Sequence, residues 1–169
     1  DTEIARGLFR KAIDLDDNLL AAKTELGKTF SEVGDYDKAM AIFKLILKQA
    51  EAIGDRDGQG AALANIGNIF HEKGDYKNAL GYFNNSLEIQ DEIGNKRVMG
   101  MLLNNIGLIS WFKGDYKEAL KHLLRSIDIL EELGDKYGMG ASFVNIGNIY
   151  SSQGFYEKAL DYCIRSLKI

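Results

Sequence analysis

The sequence predicts an all-α protein, a solenoid of antiparallel helix pairs with about nine helices. Three observations carry that reading. Glycines recur at a fixed spacing, apolar residues between them follow a helical period, and every break is expected to be made by a Gly-Asp or Gly-Asn pair. Gly27, Gly67, Gly107 and Gly147 stand 40 residues apart, and so do Gly34, Gly74, Gly114 and Gly154. Gly54, Gly94 and Gly134 form a third column and Gly60, Gly100 and Gly140 a fourth, so these columns hold 14 of the 18 glycines. Tyr36, Tyr76, Tyr116 and Tyr156 repeat in step, as do Ala39, Ala79, Ala119 and Ala159. Self-similarity at such a period is the mark of a repeat architecture, in which each unit buries its apolar face against its neighbours.

Each unit resolves into two helices. Leu63, Ile66, Gly67 and Phe70 lie at i, i+3, i+4 and i+7, one stripe of a helix. Ala79, Leu80, Phe83 and Leu87 continue the helical spacing after the break. Gly74 lies between the two halves, where a helix terminus favours a left-handed residue, and Asp75 can cap the helix that follows. Gly94 and Asn95 do the same at the next break, with Asp55 and Asp135 in the column of Asn95. The breaks therefore need no proline, and the chain has none. Gly67 sits inside a helix, where glycine costs ~1 kcal/mol against alanine, so its recurrence predicts a close crossing with no room for a Cβ. The expected helices are 2–14, then pairs at 17–33/35–53, 56–73/75–93, 96–113/115–133 and 136–153/155–169. Ala5 to Ala39 and Phe9 to Phe43 are spaced by 34, so residues 1–19 read as the second helix of a shorter, 34-residue repeat. Its exit turn is placed at Asp14–Asn18. The whole chain, 1–169, reads as one domain, with repeats at 20–59, 60–99, 100–139 and 140–169, the last truncated. Gly7 and Gly81 fall inside predicted helices without an evident reason.

Composition narrows the class. One cysteine cannot form a disulfide within the chain, and the absence of proline removes collagen-like and proline-rich linker readings. With 46% hydrophobic and 27% charged residues, the chain can bury a core. Its apolar runs fall far short of the ~20 residues of a membrane helix. The net charge is −4 with both signs interspersed, so no basic stripe offers phosphate neutralisation, and neither nucleic acid nor membrane is expected as a partner.

The positions of the small and aromatic residues resemble the tetratricopeptide repeat. That family places a small residue at repeat position 8, an aromatic at 11, alanine at 20, an aromatic at 24 and a small residue at 27. The second unit supplies Gly67, Phe70, Ala79, Phe83 and Ser86, and the fourth Gly147, Tyr150, Ala159, Cys163 and Ser166. Ser110 and Ile46 depart from the pattern. The 40-residue variant, with its Asn-Ile-Gly-Asn strings, looks like the repeats of Pins/LGN-type spindle-orientation adaptors and of bacterial sensor modules. The resemblance implies a right-handed superhelical solenoid whose first helices line a concave groove. It implies a non-catalytic scaffold that binds an extended or helical peptide there, as part of a larger signalling or adaptor protein.

Transferred position by position, the inward residues include Asn65, Asn68 and His71 in the second unit. The third offers Met101, Asn104, Asn105, Leu108 and Trp111, and the fourth Asn145 and Asn148. Asparagine is a poor residue mid-helix, yet its amide both donates and accepts, so a ladder of such amides can grip a peptide main chain whatever its sequence. The same amides could instead bond a neighbouring helix or repeat through duplication alone. Trp111, the only tryptophan, is expected to be partly exposed beside Phe112, although either ring could pack into the turn. The arginine that similar adaptors carry at position 2 is replaced by Ala61, Met101 and Ala141, so a neutral or partly apolar peptide is expected rather than an acidic one.

Chemistry is not legible elsewhere. His71 and His122 lack metal-ligand spacing, and no cofactor is expected. Asp14, Asp16, Asn18 and Glu25 mimic a calcium loop, but Leu19 stands where that loop requires glycine. Cys163 occupies a core column and reads as a small buried hydrophobe. A free thiol suits a reducing compartment, and a cytoplasmic location is expected. The final helix, projected to about position 173 by its register with Gly134, is expected to be uncapped and open to end-to-end self-association. An alternative function follows from this: a structural spacer or self-association module with no groove ligand.

Overall fold

A computed structural model describes residues 2–15 and 19–169. Among the described residues there are nine helices and no strand: α1 (Thr2–Leu15), α2 (Leu20–Glu32), α3 (Tyr36–Ile53), α4 (Arg56–Glu72), α5 (Tyr76–Glu92), α6 (Lys96–Phe112), α7 (Tyr116–Glu132), α8 (Lys136–Ser152) and α9 (Tyr156–Lys168). Apart from the start of α2, their ends fall within a residue of those read from the sequence. Of the exit turn expected at Asp14–Asn18, Asp14 and Leu15 instead belong to α1, and residues 16–18 lie outside the described residues.

The breaks show why proline is missing. At every break from α2 to α9 the glycine adopts a left-handed φ between 65° and 80°. The residue after it donates its backbone N–H to the carbonyl five positions back, as Asp75 does to Phe70 and Asp115 to Ser110, each at 2.9 Å. This closes the helix end in a Schellman arrangement. A proline after the glycine would delete that donor. The same residue then caps the next helix: Asp55 Oδ1 accepts from Gly58 N at 3.0 Å and Asp135 Oδ1 from Gly138 N at 3.1 Å. Asp75 is held below the ordinary aspartate value by the Asn78 side-chain amide at 2.6 Å and the Asn78 backbone N–H at 3.2 Å. Its cap is therefore at full strength above the ordinary value and is lost as pH falls through the lowered one. One break departs from the expected Gly-Asp or Gly-Asn pair. Phe155 follows Gly154, keeps the backbone bond to Tyr150 at 2.9 Å and makes no side-chain cap; its ring meets Tyr150 edge-on instead.

The helices pack as two compact units, Asp1–Ile89 and Gln90–Ile169. In the first unit, each of α1 to α4 packs on the next, around Leu26, Phe30, Phe43, Ile46, Ile66 and Ile69. In the second, each of α6 to α9 packs on the next, around Leu123, Ile127, Leu130, Ile146 and Ile149. The mid-helix glycines lie at the crossings. A methyl group built on Gly27 would fall 2.7 Å from the Phe43 ring, and one on Gly67 2.7 Å from Phe83. On Gly107 it would meet Leu123 at 2.8 Å, and on Gly100 Leu130 at 2.6 Å. Phe83 is fully buried and cannot swing away. At the last crossing a methyl group built on Gly147 would fall 3.1 Å from the Cys163 sulfur. Cys163 keeps its column but is exposed, contrary to the buried position expected, because no described helix packs over that side of α9.

Serine hydroxyls bind the helix pairs at a second point. Ser86 Oγ donates to Gly60 O at 2.8 Å, Ser126 to Gly100 O at 2.7 Å and Ser166 to Gly140 O at 3.1 Å. Gly7 and Gly81 have nothing within 4 Å of a Cβ, so neither marks a close approach. These contacts make two glycine substitutions differ in sign. Gly67→Ala is expected to destabilise by ~2–3 kcal/mol through overpacking against an enclosed ring. Gly81→Ala, in an open helix interior, is expected to stabilise by ~0.5–1 kcal/mol. Urea denaturation followed by circular dichroism distinguishes them, and equal effects would contradict the packing argument.

Candidate peptide-binding clefts

The side of each first helix that faces away from its glycine crossing forms the candidate site, with a cleft between paired first helices in each unit and, in the second, a further one of about 420 Å³ on α8 and α9 that shares Tyr137 and Ala141. In the first unit a cleft of about 480 Å³ lies between α2 and α4. Asn65, Asn68 and Glu72 of α4 line it with Lys28, Ser31 and Glu32 of α2. Tyr36 and Phe43 of α3 add an apolar wall, so charged, amide and aromatic groups share the lining. Asn65 donates to the Ala61 carbonyl of its own helix at 2.9 Å, and Lys28 pairs with Glu25 at 2.7 Å. Asn68 is exposed beside it. His71 stands at the end of α4 with Nδ1 3.6 Å from Glu72 Oε1 and does not line the cleft.

The second unit is different. A cleft of about 360 Å³ lies between α6 and α8, lined by Met101, Asn104 and Asn105 of α6 and by Tyr137, Gly138 and Ala141 of α8. Arg97 and Asp135 lie at its margin and pair with each other at 3.2 Å. Met101 is 58% exposed and Tyr137 92%. Asn145 Nδ2 donates to Asn104 Oδ1 at 2.9 Å, and Ser142 Oγ donates to the same oxygen at 3.3 Å. Behind them Ser142 and Ser126, both fully buried, are 3.1 Å apart, and Ser126 gives its own hydrogen to Gly100 O. The single hydroxyl hydrogen of Ser142 is thus shared between Ser126 Oγ and Asn104 Oδ1. A polar chain thus runs from the packed α6–α7 crossing to the open face of α8.

The expected site residues divide accordingly. Asn65 and Asn68 come together in the first cleft, and Met101, Asn104 and Asn105 in the second. Asn145 is half-buried and tied to Asn104, while Asn148 is exposed one turn further along α8. Part of the ladder thus follows the alternative considered from sequence, bonding to its own helix or a neighbouring one. Leu108 and Trp111 are half-buried and line neither cleft. Trp111 packs on the core of the second unit, stacks on the exposed Phe112 at 5.3 Å and donates from Nε1 to Ser152 Oγ at 3.4 Å. Tyr137 and Arg97 were not singled out from the sequence, and Asp135 was read there only as a helix cap. Tyr137 stands four residues before Ala141, and that spacing on the same helical stripe was the available signal.

Apart from the capping Asp35 and Asp75, both lowered, the titrating groups that shift are His122 on α7, lowered by burial, and Tyr162 on α9, raised by burial, and neither lines these clefts. Among the described residues no group of histidine, cysteine and carboxylate side chains could hold a metal ion. No described helix is long and apolar enough to cross a membrane.

The family model for the tetratricopeptide repeat matches residues 18–92 and 98–169. No curated protein sequence matches the chain. Solved structures share the fold. BtubC (BKLC) from P. vanneervenii is 22% identical with a TM-score of 0.83, covering 99% of this chain and 72% of that one. A signal-transduction ATPase with numerous domains and a tetratricopeptide repeat sensor, from Pyrococcus horikoshii, is 24% identical with a TM-score of 0.79, covering 97% and 27%. A Rap protein complexed with competence and sporulation factor is 17% identical with a TM-score of 0.80, covering 88% and 42%.

Removing the Asn104 amide is expected to leave Asn145 and Ser142 without their shared acceptor. Asn104→Ala should destabilise by ~1 kcal/mol, whereas Asn148→Ala, exposed in a helix interior, should be neutral or slightly stabilising. Thermal melts of the two variants check this, and equal midpoints would contradict it. With the glycine crossings, helix breaks and paired helices in place, the match over most of its length settles the assignment: the chain belongs to the tetratricopeptide repeat family.

Proposed function

We propose that the chain is a non-catalytic scaffold that binds a peptide segment of a protein partner on the open face of its first helices. The observation that carries this reading is the second cleft, where two large apolar side chains stand in water beside asparagine amides. Exposed aromatic and methionine side chains around polar groups are the composition of a binding hot spot. Membership of a family of protein-interaction scaffolds supports the same reading, and so does the Rap protein, whose structure holds competence and sporulation factor. Neither nucleic acid nor membrane is among the partners proposed, and a cytoplasmic setting suits the exposed thiol of Cys163.

The test is selection from a random dodecapeptide phage library. Peptides enriched on the wild-type chain should bind an Asn105→Ala/Asn148→Ala variant about tenfold more weakly, a typical loss at a contributing contact. Absence of enrichment, or equal binding by a folded variant, would overturn the reading.

A second reading has its own observation. Tyr156, Leu160, Ile164 and Leu167 form one exposed apolar stripe along α9, with Leu167 87% exposed. A second copy of the chain seated there would make a spacer or self-association module. Light scattering should then show mass rising with concentration for the wild type and not for Leu160→Lys/Leu167→Lys. A monomer at every concentration would exclude it.

A further inference from the structure

We propose that one face of α9, built from Phe155, Lys158, Tyr162 and Arg165, is a second interaction surface. It docks a segment of a partner protein that carries a large apolar side chain beside carboxylates. These residues line neither cleft between first helices, and the proposal does not rest on the groove reading.

Phe155 breaks a rule that the rest of the chain keeps. The other three breaks between a first and a second helix place Asp35, Asp75 and Asp115 in its column, and each caps the helix that follows. Phe155 gives up that cap, and burial does not replace it, because the residue stays 53% exposed. A local rule broken without a gain inside the fold is the mark of a residue kept for something outside it. The exchange also releases a charge. Lys38 is closed on the capping Asp35 at 2.6 Å, whereas Lys158, in the same column, has a ring at the place of that carboxylate. Its ammonium lies 5.3 Å from the centre of the Tyr150 ring and 5.4 Å from that of Phe155.

The four residues fall at i, i+3, i+7 and i+10, one stripe of a helix. In no other second helix does this stripe hold two rings and two cations. The rings are fixed before any partner arrives, which lowers the cost of docking. Tyr150 meets Phe155 edge-on at 6.4 Å and stacks on Tyr162 at 5.6 Å, and Phe143 lies against Tyr162 at 6.1 Å. Arg165 stands over Tyr162 at 5.0 Å and pairs with Asp161 at 2.9 Å. That pair is exposed, so exchanging Asp161 for a partner's carboxylate costs little. A docked carboxylate then meets Lys158 and Arg165, and the apolar side chain beside it covers the Phe155 ring. A basic segment would meet like charge.

The experiment selects dodecapeptides displayed on phage with the wild-type chain, after depletion on Phe155→Asn. Asparagine there offers a cap of the kind Asn95 gives to α6, so the variant should melt no lower than the wild type. Surviving peptides should carry an aromatic or aliphatic residue beside an Asp or Glu. They should bind Lys158→Gln about tenfold more weakly, weaken as salt rises, and bind Asn105→Ala/Asn148→Ala as tightly as the wild type. No survivors, survivors without carboxylates, or binding indifferent to Lys158→Gln would overturn the proposal. So would a Phe155→Asn chain that melts several degrees lower, since Phe155 would then be a packing residue. Sedimentation of the wild type, and not of Phe155→Asn, with phosphatidylserine vesicles would make this a lipid-facing surface and overturn the protein partner.

Discussion

Where the two helices of a repeat cross, a glycine lies against a buried side chain of its partner, and a single added carbon would collide with it. Gly27 on Phe43, Gly67 on Phe83 and Gly107 on Leu123 are the same contact made three times. Glycine is unfavourable inside a helix, so the arrangement costs about 1 kcal/mol of helix propensity at each crossing. In return the helices approach closely and the large partner side chain is fully enclosed. The contact also decides which way each first helix faces. With Gly67, Ile66 and Leu63 turned inward, Asn65 and Asn68 are left on the open side. With Gly107, Ile106 and Leu103 inward, Met101, Asn104 and Asn105 are open.

The turns complete the constraint. One glycine in a left-handed conformation and one following residue both end a helix and begin the next, within two or three residues. Because the backbone N–H after the glycine is used at each break from α2 to α9, proline is excluded at those positions by the hydrogen bonding. The residue at that position can vary as long as its N–H remains. Phe155 shows this by giving up the side-chain cap while keeping the main-chain bond.

Elements governed by local, repeated rules were legible in the sequence. Helix ends follow from Gly34, Gly74 and Gly114, and the close crossing at Gly67 follows from a glycine where none is favoured. Features that depend on a side chain's individual neighbours were not. The column of Cys163 predicted burial, but burial needs a covering helix as well as a column. The asparagine ladder was visible as a pattern, yet the pattern could not show that Asn145 turns to Asn104 while Asn65 turns to its own backbone. Tyr137 escaped notice because it precedes the repeat positions that usually face a ligand. The two clefts carry different chemistry on the same scaffold, with several charged side chains beside Tyr36 and Phe43 in the first unit and a mostly apolar lining around asparagines in the second. Function therefore has to be argued from the side chains of each cleft and not from the fold they share.

The central claim is that enclosure of a large side chain against glycine sets the packing of each helix pair. A double-mutant cycle at Gly67 and Phe83 tests it most directly, with stabilities from urea denaturation. If the added methyl is harmful because it meets the Phe83 ring, Gly67→Ala should lose most of its cost in a Phe83→Ala background. The coupling should then be about 1–3 kcal/mol, in the range found for residues in contact. Additive effects of the two substitutions would contradict the account.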